Sequence, residues 1–409
     1  MLNLLKMNIK RLKYIFDIFY PLVIIILLLL FKYISFSNVI CGYIIYCTIV
    51  HFTSNGYLFY TKTKFNNELI KSCPHIRNPD FKAYFILPFT FFQFIIIRYS
   101  NKNKRMKEII FKEEKVDDEG TTIIWASYNN DPNIHSKPIL LILPGITGKT
   151  SDFYVKNIVV EGLDNNFDIV IYQMRTLSHK MKMPQNNKYV DFIEDINNSI
   201  KVIKKVNNNK LYAIGYSFGA NNLTRYLGTK NVETHFIEGA ISVSNPFDMI
   251  YSQRVGEESL YEQIMLHFEK KNYIPAALSI NKLRNNYIDI NCLKSTFYAK
   301  DFEIEFLGKI LGYKSIGKYY RGISSFENVE NINIPFLVIN SKDDPFSSFK
   351  GVPLDEFREN KNIIFIATDQ GAHSCYIENK SYFSLGTKQW ILKPIIEFLN
   401  YLRNNEFKK

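Results

Sequence analysis

Leu211-Tyr212-Ala213-Ile214-Gly215-Tyr216-Ser217-Phe218-Gly219-Ala220 decides how this chain is read. Leu211 to Ile214 is a short apolar run suited to a buried strand, and Ala220 to Leu227 has a helical pattern. Between them lies a G-x-S-x-G, Gly215 to Gly219. In a strand, sharp turn, helix arrangement the serine is forced into a strained backbone conformation that lifts its hydroxyl above the sheet. Glycines on both sides remove side chains that would collide. Ser217 is therefore a nucleophile candidate. The competing reading, a glycine-rich turn without chemistry, is weakened by the strand before it and the helix after it.

A serine nucleophile of this kind needs an acid and then a histidine, each in a loop after a later strand. Phe336 to Ile339 is the next apolar run of interest, followed by Asp343-Asp344-Pro345-Phe346; Ile363 to Ala367 follows, and then Gly371-Ala372-His373. The 29 positions from Asp344 to His373 hold one helix and one strand, the content of a βαβ step. Six of the seven histidines precede the acid, so His373 is the candidate base. Asp344 is the candidate acid, with Asp343 beside it as the alternative.

An oxyanion hole takes one backbone N–H from the residue after the nucleophile and one from a loop after an earlier strand. The second requirement fits Leu143-Pro144-Gly145-Ile146-Thr147-Gly148, which follows the strand-like Ile139 to Leu143. The expected donors are the amides of Phe218 and Ile146.

The pattern resembles the YheT-like branch of the α/β-hydrolases, which includes membrane-anchored abhydrolase-domain lipases and fungal medium-chain fatty-acid ethyl ester synthases. Asp118-Glu119-Gly120 with Trp125, Leu143 to Gly148, Gly215 to Ala220 and Ser244-Asn245-Pro246-Phe247-Asp248 carry the likeness, with Tyr319-Tyr320-Arg321, Asp343 to Phe346 and Gly371 to His373. They stand in the family's order over roughly residues 65 to 400. The resemblance implies serine hydrolase chemistry on carboxylic esters, usually of lipids, or acyl transfer to an alcohol. Two departures stand out. Gln173-Met174-Arg175-Thr176-Leu177 keeps only the arginine of an Asn-Xaa-Arg-Gly turn, in a loop expected near the mouth of the site. Gly371-Ala372 replaces Gly-Gly before the histidine.

Charge and hydropathy point to a membrane. Residues 1–115 carry 17 basic and 6 acidic residues, a net of +11 out of +12 for the whole chain. Such a segment attracts anionic headgroups at about 1 kcal/mol per lysine near the surface. Nucleic acid is the rival partner for a basic chain, but no DNA- or RNA-binding signature accompanies the charge. From Ile18 to Val50 the only charged residue is Lys32, so the region holds one span near residues 15–35 or a hairpin with a second span near 38–52. Basic residues on both flanks favour the hairpin; the resemblance favours a single anchor. Ala83 to Ile97 is apolar but too short to span, and reads either as an interfacial element or as a buried helix.

The five cysteines are odd in number and lack metal-ligand spacing, so neither a disulfide scaffold nor a metal site is expected, and no cofactor. His75 to Asp80 forms an H-x-x-x-x-D, read as chance. Asp168 to Tyr172 and Ile237 to Val243 add two buried strands, and Ile193, Ile196, Ile200 and Ile203 mark one face of a crossover helix. The expected fold class is α/β, an α/β-hydrolase fold with a mostly parallel, doubly wound sheet, a helical lid and an N-terminal transmembrane anchor. Expected segments are 1–60 for the anchor, 61–115 for a basic membrane-proximal stretch and 116–405 for the hydrolase domain, with the lid at about 249–330. The expected function is a membrane-associated serine esterase or lipase acting on acylglycerols or phospholipids. An acyltransferase and a catalytically inactive binding protein are the alternatives. The expected location is integral to a membrane, with the endoplasmic reticulum as one candidate; oligomeric state is left open.

Overall fold

The computed structural model describes residues 25, 26, 29, 35–83, 104–129, 131–184, 189–229, 236–257, 259–284, 287–381, 384–405 and 407. Nine strands form one sheet: β1 Gly56–Tyr60, β2 Ile109–Lys115, β3 Thr122–Tyr128, β4 Ile139–Leu143, β5 Asp168–Gln173, β6 Leu211–Tyr216, β7 Ile237–Val243, β8 Phe336–Ser341 and β9 Ile363–Thr368. Their order is β1-β9-β8-β7-β6-β4-β5-β3-β2. The six strands from β5 to β9 in that order are mutually parallel. β1, β3 and β2 add antiparallel edges. A separate hairpin, β10 Ile377–Ser381 and β11 Ser384–Gln389, follows β9.

The parallel strands read as unbroken apolar runs because both faces are covered. Ile139, Leu141 and Leu143 of β4 point into one core, while Leu140 and Ile142 point into the other. On β9 the same alternation sends Ile363, Phe365 and Ala367 one way and Ile364 and Ile366 the other. Helix Phe192–Val206 lays the expected Ile193, Ile196, Ile200 and Ile203 on the first core, and helix Leu392–Asn404 brings Ile395, Phe398 and Leu402 to the second. Between β7 and β8 the chain makes helices Met249–Gly256, Leu260–Leu283, Ile290–Ser295, Ala299–Glu303 and Ile316–Ile323, in the segment expected to hold a lid.

The N-terminal organisation differs from the sequence reading. Gly56–Tyr60, counted there with the anchor, is the edge strand β1, in register with Thr368 to Ile364 of β9. Helices Lys64–Ser72 and Pro74–Arg77, counted with the membrane-proximal stretch, bury Leu69, Ile70 and Ile76 in the second core against the C-terminal helix. β2 also lies before the expected domain start at 116, and pairs with β3 along its whole length. The basic surface of these segments hid apolar faces that need the hydrolase core for burial. His75 of the H-x-x-x-x-D pairs with Glu397 (2.5 Å), whereas Asp80 pairs with Lys82.

Helix Phe36–Thr53 covers the second expected span and, by length and composition, can cross a membrane. Most of Ala83 to Ile97, and of the first expected span near residues 15–35, lies outside the described residues.

Candidate active site

Each candidate residue stands at the carboxyl end of a parallel strand: Ile146 after β4, Ser217 after β6, Asp344 after β8 and His373 after β9. Strand order, rather than distance in sequence, makes them neighbours. Open α/β sheets place their ligands at this edge.

Ser217 has φ 54° and ψ −122°, between the end of β6 and helix Phe218–Gly228. A side chain at Gly219 would fall well inside contact with the carbonyl oxygens of Leu143 and Pro144. Helix and strand therefore approach too closely there for any residue but glycine. Gly219→Ala is expected to cost about 3 kcal/mol through overpacking against backbone that cannot yield. A lowered thermal unfolding midpoint checks this; an unchanged one refutes the close approach.

His373 Nε2 lies 2.7 Å from Ser217 Oγ, and its Nδ1 lies 2.8 Å from Asp344 Oδ2. Asp344 is buried, and its Oδ1 also accepts from the amides of Phe346 and Ser347, both at 2.9 Å. Those two amides fix the carboxylate plane that faces the imidazole. The neighbouring Asp343 turns elsewhere and accepts from the Ala372 amide at 2.8 Å. Of the two adjacent acids, Asp344 is the one whose carboxylate faces His373 Nδ1, at 2.8 and 3.0 Å.

The histidine loop is itself strained. Gly371, Ala372, Ser374 and Tyr376 have φ of 152°, 49°, 58° and 44°. Hydrogen bonds from β8, from the separate hairpin and from the loop after β7 hold it. Ser341 Oγ donates to Ala372 O (2.7 Å), and Gln389 Nε2 donates to Ser374 O (2.6 Å). The Ser374 amide donates to Ser244 Oγ at 2.9 Å, and the Ser244 carbonyl accepts from Ser347 Oγ at 2.7 Å. Ser244, after β7, thus ties the acid loop to the histidine loop. Ser244 stands among the family-like residues of the sequence, but a serine after a strand carries no local signal for a contact 130 residues away.

The expected oxyanion donors, Phe218 and Ile146, line one cavity together with Ser217. Phe218 opens its helix, where the first amides have no intrahelical partner. The Gly145 amide is taken up by Tyr154 Oη at 3.0 Å. From the helix Leu260–Leu283, Tyr273 Oη donates to the Ile146 carbonyl. Neither tyrosine stood out in the sequence.

The arginine of the departing turn, Arg175, is 3% exposed and is gripped by Asp195 and by Glu119 (2.8 Å) and Asp117 (3.1 Å). Burial works against its charge, but Asp195 and the two other carboxylates hold its pKa above the usual value. Burial pushes the Asp195 carboxyl up to about 6, against the pull of Arg175. The guanidinium joins the β2–β3 turn to the helix Phe192–Val206. The acids that bury it lie 20 to 58 residues away, so its burial has no local signal in the sequence.

Among the described residues no group of His, Cys, Asp and Glu is placed to hold a metal ion.

A family model described as the alpha/beta hydrolase fold matches residues 138–380. By sequence the chain is similar to the embryogenesis-associated protein EMB8 of Picea glauca, 24% identical over 288 residues, covering 69% of this chain and 62% of that one. It is 27% identical over 318 residues to a monoacylglycerol lipase of Saccharomyces cerevisiae, covering 74% and 68% of the two chains. Phospholipase ABHD3 of Bos taurus is 24% identical over 271 residues, 64% of each chain. The match thus spans less than two thirds of the Picea and Bos proteins' own length. A lipase and a phospholipase of the abhydrolase type are the kinds of relative that the YheT-like resemblance implies.

Proposed function

We propose, from the premise that this chain belongs to the alpha/beta hydrolase fold family, that it is a serine hydrolase of lipid carboxylic esters, acylglycerols or phospholipids, working at a membrane. The observation that carries the reading is the hydrogen-bonded line Ser217–His373–Asp344, with the strained serine at its head. In this mechanism His373 Nε2 takes the Ser217 proton as Oγ attacks the ester carbonyl, while Asp344 holds Nδ1–H and stabilises the imidazolium. The amides of Phe218 and Ile146 bind the oxyanion. Collapse expels the alcohol, which takes its proton from His373, and leaves an acyl group on Ser217. Water, deprotonated by His373, then releases the fatty acid.

The membrane part of the proposal rests on helix Phe36–Thr53. Phe36, Ile44, Ile45, Ile49 and Phe52 are exposed on it, an apolar surface that lipid covers favourably. Only Ser54 and Asn55 separate it from β1, and Asn55 exchanges hydrogen bonds with Asp369, in the loop leading to His373 (2.8 and 2.9 Å). A helix held in lipid would therefore set the sheet edge that carries the histidine close to the bilayer.

Detergent-solubilised protein is expected to react with a fluorophosphonate probe and to release fatty acid from a monoacylglycerol. Added ethanol reports on acyl transfer: ethyl ester formed in place of fatty acid makes the alcohol the acceptor. A folded protein that neither labels nor turns over ester overturns the reading in favour of a binding protein.

Because Tyr273 holds the Ile146 carbonyl, it pins the loop that carries the Ile146 amide. Tyr273→Phe is expected to lower kcat about tenfold, about 1.4 kcal/mol in the barrier, with KM nearly unchanged. An unchanged kcat removes Tyr273 from that positioning role.

A further inference from the structure

We propose that Glu269 and Glu303 form a hydroxyl-recognition floor in the cavity beside Ser217, which binds the free hydroxyls of a partial glycerol ester. The inference rests on the esterase reading above. In the helix Leu260–Leu283, the spacing of Glu262, Met265, Glu269 and Tyr273 puts all four on one face. Glu262, Met265 and Glu269 line the same cavity as Ser217, and Tyr273 reaches the loop that closes it. Glu303 enters the cavity from the end of helix Ala299–Glu303, immediately before the π-helical turn Ile304–Gly308. Such turns are enriched at functional sites because the extra residue re-aims a side chain.

The floor is buried and incompletely bonded. Glu269 is fully buried and Glu303 is 8% exposed. Glu269 and Glu303 share a hydrogen bond, and Glu303 also meets Tyr319 and Tyr320; beyond these contacts, neither oxygen of Glu269 nor Oε2 of Glu303 has a donor among the described residues. The third acid, Glu262, does have one, the Ala299 amide at 3.2 Å. An oxygen that this pairing leaves without a donor in a dry site costs about 1–3 kcal/mol, a cost that a ligand hydroxyl removes. No lysine or arginine is among the cavity's described lining residues, whose other members include the apolar Met249, Met265 and Phe346.

The chemistry favours alcohols over cations. Burial, reinforced by Glu303, raises the Glu269 pKa well above the usual carboxyl value, and burial pushes Glu303 up to about 7. A pair that retains a proton both donates and accepts, as vicinal hydroxyls require; a quaternary ammonium would need it ionised. The carboxyls are not set as a metal-ligand group.

The test compares a 1-monoacylglycerol with the methyl ester of the same fatty acid. Glu269→Leu is expected to lower the preference for the monoacylglycerol, measured as the ratio of kcat/KM values, at least about tenfold, mainly through KM. Glu269→Gln, which still donates and accepts, is expected to restore most of it. An unchanged ratio overturns the floor, as does a selective loss on lysophosphatidylcholine alone. Should Glu269→Leu fail to fold, the wild type decides. 1-O-decylglycerol is expected to protect Ser217 from a fluorophosphonate at about tenfold lower concentration than decyl methyl ether, and equal protection refutes the proposal. Wild type that never labels refutes the esterase reading itself, whereas labelled wild type with indifferent selectivity refutes only the floor.

Discussion

Ser217→Ala is expected to lower ester turnover by about 10⁴-fold or more, about 5.5 kcal/mol in the barrier, while leaving the fold intact. The size follows from the geometry. The hydroxyl is the atom His373 addresses at 2.7 Å, and no other side-chain oxygen is hydrogen-bonded to that nitrogen among the described residues. What remains without it is the electrostatic help of the amides proposed to bind the oxyanion, which the substitution leaves in place. Substrate binding should survive, so the loss should fall on kcat rather than KM. His373→Ala is expected to cost a similar amount, and the double variant little more, because the two act as one unit. Steady-state kinetics with matched circular dichroism spectra check this. Retention of more than about one tenth of the wild-type rate would remove Ser217 from the nucleophile's role.

The second large effect concerns stability. Arg175→Ala is expected to cost about 3–5 kcal/mol of unfolding free energy, since it strips the partner from the buried Asp195 and from Glu119 and Asp117 in one step. The loss is mostly the penalty of a buried carboxylate left unpaired, so it should depend on Asp195. Adding Asp195→Asn should recover part of it, because the amide carries no charge to bury. Denaturant titration of the single and double variants measures the coupling. A loss under about 1 kcal/mol for Arg175→Ala would mean that water or another cation replaces the guanidinium.

Two kinds of position separate what could be read in advance from what could not. β4 and β7 match the expected Ile139 to Leu143 and Ile237 to Val243, and β6, β8 and β9 extend theirs by one or two residues. These strands are buried on both faces, so a run of apolar residues is both necessary and visible. β2 escaped notice because it is exposed along most of its length and carries Lys-Glu-Glu-Lys at its end. β1 escaped because its apolar residues sit beside an apolar helix and were counted with it.

The sequence by itself determined the parallel sheet, the serine at its turn and the histidine after the last parallel strand. Local rules govern each of these: hydrophobic period, glycine sterics and chain order. Only the tertiary structure decided which of two adjacent aspartates faces His373, and that Arg175 is a buried strut. It alone brought Glu269 and Glu303 into the cavity that Ser217 lines. Adjacent residues point different ways only once a loop is pinned, here by Ser244, Ser341 and Gln389. A buried charge is recognisable only when the acids that neutralise it have been brought in from other segments. The cavity floor comes from two helices joined across 34 residues, so no window of sequence contains it. Contacts of that range are set by packing, the one quantity that residue order does not display.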